Sequence, residues 1–152
     1  MNKETLQKAA ERLGQWLEDR CARIKWLGTE NPPNSLLELN KARYSTGCLL
    51  VDTRFTEDNL FNDAYKQVLF RVWHEWIHWN YQLQFDMHSE VEAAFRHVAE
   101  LPEDWVVERH IVMAEVMGHV AHYYKFGNFV DSRTDFAVKL LSTGNIAPHY
   151  HR

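Results

Sequence analysis

A chain of 152 residues is the length of one domain with room for a sizeable core. Its 45% hydrophobic and 25% charged residues are an ordinary globular balance, and a net charge of −4 with no long Lys or Arg run argues against nucleic acid as a main partner. Cys21 and Cys48 are too few for a disulfide framework or a cysteine zinc knuckle, and are read as free thiols of a reducing compartment. Residues 1–12 are polar rather than signal-like, and no run approaches the roughly 18–20 apolar residues of a membrane span. A soluble, cytoplasmic chain without a membrane partner is expected.

Residues 3–27 carry Leu6, Ala10, Leu13, Trp16, Leu17, Ile24 and Leu27 at three- and four-residue spacing, which predicts an amphipathic helix ended by Gly28. Asn31-Pro32-Pro33-Asn34 breaks the chain, and a short helix is expected over 35–44. The apolar run Gly47-Cys48-Leu49-Leu50-Val51, ending at Asp52, predicts a strand. Thr56-Glu57-Asp58 looks like a helix start, with a capping hydroxyl and acids in the first turn. The helix expected over 57–84 is apolar nearly all round, as a central buried helix is.

Ser89 is read as the N-cap of a helix over 90–100, closed by Leu101-Pro102. A helix over 103–126 would close at Gly127, and Ser132 or Thr134 would start a last one over 133–142, ended by Gly144. No repeat or linker interrupts the chain. The fold class expected is α+β, mainly helical, as a single domain over 1–152 with a helical segment (1–46) ahead of a core (47–146).

Inside the central helix stands His74-Glu75-Trp76-Ile77-His78. In a helix His74 and His78 lie one turn apart on one face, where two imidazoles can grip one Zn²⁺. The intervening Glu75 is then placed to take a proton from an activated water. A hydrolytic site of this kind needs a third protein ligand and an open fourth position. The nearest carboxylates downstream are Asp86, Glu90 and Glu92. With a tight reversal near 85–88 and an antiparallel helix after it, His78 and Glu92 come level, seven residues either side of Phe85. Glu92 therefore leads as third ligand and Glu90, half a turn away, stays open. Ser89-x-x-Glu92 also reads as a capping box, which would occupy Glu92 locally.

Glu115, His119 and His122 share one face of the expected 103–126 helix and form a second possible ligand group. A two-metal carboxylate–histidine bundle is the architecture that would use it, and a structural metal site in an interaction protein is a further alternative. Tyr123 and Tyr124, with the same two histidines, are candidates to stabilise an oxyanion across the cleft. His88, His97, His110, His149 and His151 have no spacing that assigns them a role.

With these residues in order, the chain resembles the ImmA/IrrE family of small metallopeptidases over about residues 47–146. The likeness lies in the strand Gly47-Cys48-Leu49-Leu50-Val51-Asp52, the His74-Glu75-x-x-His78 helix, Glu90-Val91-Glu92-Ala93-Ala94-Phe95, Leu101-Pro102, and the stretch from Phe136 through Leu140-Leu141 to Gly144-Asn145-Ile146. The resemblance implies a zincin-like fold, with zinc on His74, His78 and Glu92 and Glu75 as general base. The activity it implies is cleavage of a protein or peptide substrate, often a regulatory protein.

Overall fold

The structure, a computed structural model, describes residues 2–118. His119, His122, Tyr123, Tyr124 and the helix expected over 133–142 lie outside the described residues. Helix α1, Lys3–Cys21, is capped by Asn2, whose side chain accepts from the Thr5 amide at 2.8 Å. Strand β1, Trp26–Thr29, leads to helix α2, Leu36–Thr46, capped by Ser35 and closed by Gly47 at φ +76°. Strand β2, Leu49–Asp52, precedes helix α3, Ala64–Tyr81. Helix α4, Met87–Ala99, and helix α5, Val106–Met113, follow, and α5 runs into a π-helical turn, Ala114–Gly118. The expected mainly helical α+β class is what the chain adopts.

Two elements depart from the helical pattern. The helix expected over 3–27 stops at Cys21, and residues 26–29 instead pair in parallel with β2, Trp26 opposite Leu49 and Thr29 opposite Asp52. Ile24 and Leu27 fall at helical spacing, but β2 alone would leave its backbone groups unpaired, and a β1–α2–β2 crossover supplies the partner. Leu27 is accordingly 50% exposed in the strand rather than packed as a helix residue. Gly28 is thus a strand residue and no helix terminator; a Cβ there would come 2.6 Å from Thr53 Cγ2.

The central helix is also shorter than its apolar run. It begins at Ala64, not near 57, with Asp63 as N-cap accepting from the Lys66 amide at 3.1 Å. Thr56-Glu57-Asp58 starts no helix because Asn59 takes over the local backbone. Its side-chain Nδ2 donates to the Thr56 carbonyl, and its Oδ1 accepts from the backbone amides of Phe61 (2.9 Å) and Asp63 (3.3 Å). Leu60 and Phe61 are still buried, held there by this turn.

The apolar side chains from Leu6 to Val116 form one core. At its centre Trp73, wholly buried, meets Trp16 edge-on at 4.9 Å between ring centroids and Phe70 at 5.8 Å. Burial of an indole this size contributes about 5 kcal/mol of gross stabilisation at about 25 cal/mol per Å². Its N–H donates to Glu100 at 3.1 Å, and that carboxylate also pairs with Arg20 of α1, tying α1, α3 and the end of α4 together. Among the described residues no helix is long and apolar enough to cross a membrane.

Candidate metal centre

The His-Glu-x-x-His segment is helical, within α3, so His74 and His78 do share a face. Gln82, in the left-handed conformation at φ +52°, ends α3, and a short reversal leads straight into α4. Asp86 rather than Ser89 caps α4, accepting from the Ser89 amide at 2.8 Å. The helix therefore starts one turn earlier than the Ser89 pattern implied.

The face that α4 packs against α3 decides the third carboxylate. With α4 starting at Met87, its inward stripe is Glu90, Ala93, Ala94 and His97, at helical offsets of three, four and seven. Glu92 does not face the histidines, which corrects the expectation that it completes the ligand set. Its side chain is 51% exposed and pairs with Arg96 on the outer surface at 3.8 Å, whereas that of Glu90 is 15% exposed. Neither does Glu92 form a capping box, since Ser89 is not the cap.

Three ligand atoms converge. His74 Nε2 lies 3.2 Å from Glu90 Oε2, His78 Nε2 lies 2.8 Å from Glu90 Oε1, and the two Nε2 atoms are 3.1 Å apart. Ligands about 2.0–2.1 Å from a tetrahedral zinc are about 3.3 Å from each other, so a cation fits this triangle with small adjustments. Within the described residues this is the group of three that could hold an ion, and Glu115, buried in the π-helical turn, is not part of it.

The other ring nitrogens are engaged away from the triangle. His78 Nδ1 lies 3.0 Å from the Leu83 carbonyl, which can only accept, so that nitrogen carries a proton and Nε2 is turned to the site. His74 Nδ1 lies 2.9 Å from Nε2 of His97, a residue the sequence spacing had left without a role. His97 is wholly buried, stacked near Phe70 and edge-on to Trp73 at 4.2 Å. The signal that could have found it is its position seven residues after Glu90, on the same helical stripe.

The charges are coupled. Burial opposes ionisation of Glu90, but hydrogen bonds and charge from His74 and His78 outweigh it and bring the carboxyl down to about 2. Burial likewise disfavours charge on His78, yet Glu90 holds its pKa above the usual value. Burial, with the neighbouring histidine charges adding to it, keeps His97 well below its usual value and neutral.

Glu75 lines the same cleft of about 200 Å³, with Phe85, Asp86 and Met87 along its wall. Its Oε2 is shielded from solvent and has no hydrogen-bond partner among the described residues. Burial raises the carboxyl above its usual value, although His74 and His78 pull it the other way. A carboxyl whose pKa burial raises, on the wall of a cleft shared with three residues that could hold an ion, is equipped to accept and return a proton. No family model, curated protein or solved structure matches the chain.

Proposed function

We propose that the protein is a zinc-dependent peptidase acting on a protein or peptide in the cytoplasm, with His74, His78 and Glu90 holding the metal and Glu75 as general base. One observation carries this reading: three ligand atoms of metal-binding type converge within 4.8 Å, and the cleft they share is walled by Glu75, whose buried Oε2 has no hydrogen-bond partner among the described residues. The ImmA/IrrE-like resemblance is part of the proposal, with Glu90 in the place that likeness assigned to Glu92. Zinc so held would supply a Lewis acid for the scissile carbonyl and bring a water's pKa toward neutrality.

The chain's own groups do the rest. Glu75 accepts the proton of the attacking water at its buried oxygen and delivers it to the leaving amine. Burial raises its pKa above the usual carboxylate value, which favours holding that proton between the two transfers. The Leu83 carbonyl and His97 hold the rings of His78 and His74 in the orientation the triangle needs. Phe85 and Met87 line the cleft on the side of the α3–α4 reversal.

Elemental analysis of the purified protein, the His74→Ala variant and the Glu75→Gln variant tests the reading, together with cleavage of a peptide library read by mass spectrometry. About one zinc per chain is expected in the wild type and Glu75→Gln, and none in His74→Ala. Cleavage should be confined to the wild type. Metal absent from the wild type, or undiminished cleavage by Glu75→Gln, would overturn it.

A further inference from the structure

On the far side of α3 the fold builds a second concave site. Trp76 and Trp79 lie about 150° round the helix from His74 and His78, at 100° per residue, so this site is separate from the metal centre. The two indoles wall a groove of about 340 Å³ into which Arg20, Arg23, Lys25 and Arg43 project. Ile24 and Leu49 complete its apolar lining, and among the described residues none that lines it is acidic. No run of the sequence is basic; α1, the turn after it and α2 bring these cations together.

The cations are not equivalent. Arg20 stacks on Trp76 at 4.4 Å but gives its in-plane donors to Glu100. Arg43 stacks on Trp79 at 5.1 Å, and neither it nor Arg23 or Lys25 has an ion-pair partner among the described residues. A guanidinium over an indole face keeps its N–H donors available, and its planar fork can grip a carboxylate with two parallel bonds.

We propose that this groove docks an acidic segment of a partner protein, with Arg43, Lys25 and Arg23 binding its carboxylates and Trp76 and Trp79 packing its intervening apolar side chains. Charge complementarity selects the occupant. The chain's own residues 119–152 carry two acids, Asp131 and Asp135, against four bases, Lys125, Arg133, Lys139 and Arg152, so they offer the wrong sign. A nucleic acid would need a longer basic track, and the protein's net charge of −4 repels an extended polyanion. Three cations with no ion-pair partner among the described residues, beside apolar walls, match a short stretch in which acidic and apolar residues alternate.

Fluorescence anisotropy with a labelled hexapeptide of alternating Glu and Leu, titrated with the full chain, tests the proposal. Binding is expected, weakening as salt is raised, and Arg43→Ala and Lys25→Ala should each weaken it about tenfold while far-ultraviolet circular dichroism stays unchanged. The Lys–Leu counterpart should not bind. Absent binding by the Glu–Leu peptide, or binding indifferent to Arg43→Ala, overturns the proposal. So does tighter binding of a single-stranded oligonucleotide that the same substitutions abolish. Concentration-dependent self-association lost in Arg43→Ala would make the occupant a second copy and overturn it equally.

Discussion

His97 Nε2 lies 2.9 Å from His74 Nδ1, so a buried imidazole sets the proton position of its half-buried neighbour. For His74 to offer its Nε2 lone pair to a cation, its proton must sit on Nδ1 and be donated to His97, which burial keeps neutral and able to accept. His97→Phe should keep the packing against Trp73 and Phe70 but remove that acceptor. Zinc affinity, read by competition with a chromophoric chelator, should fall about 10–100-fold. An unchanged affinity would mean that the contact has no orienting role.

Glu90 and Glu92 are two residues apart and give opposite expectations. Glu90→Gln removes a converging oxygen and should weaken zinc binding by about a hundredfold or more. Glu92→Gln removes half of an exposed pair with Arg96, and should change zinc affinity by less than about twofold. Calorimetric titration of both variants checks this, and the reverse ranking would place the third ligand on the other face of α4.

Cys21 should make alkaline stability fall. Its thiol is buried, donates to the Leu69 carbonyl at 3.3 Å, and is pushed up to about 12 by burial, against a value of 9.0 for an exposed thiol. Above pH 9.0 the unfolded chain releases this proton while the folded chain keeps it, so the unfolded state binds fewer protons and stability drops with rising pH. The slope is at most about 1.4 kcal/mol per unit, flattening toward pH 12. Urea unfolding of wild type and Cys21→Ala across this range measures it. The loss should be confined to the wild type.

Trp73→Ala opens a cavity at the junction of α1, α3 and α4 and leaves Glu100 without its indole donor. Unfolding free energy should drop by about 3–5 kcal/mol. Tyr44→Ala, at a position 94% exposed, should stay within about 0.5 kcal/mol of the wild type. Comparable losses at the two positions would contradict the core described above.

What the sequence determined by itself was local. The His74–His78 pairing follows from an i, i+4 spacing on a strongly apolar helix, and the α2 helix, the β2 strand and the α3–α4 reversal rest on caps, apolar runs and breaks within a few residues of one another. What only the tertiary structure decided depends on partners distant in sequence, or on which of two local signals prevails. Residues 26–29 became a strand because β2 required a neighbour, against an apolar period that continued the α1 helix. Asn59 displaced a helix start that Thr56 and two acids also offered. Asp86 prevailed over Ser89 as the α4 cap, so Glu92 lost the capping-box role that the Ser89 pattern offered it. Helical phase is an angle of about 100° per residue, so Glu90 and Glu92 point to opposite sides, and only packing against α3 selects between them.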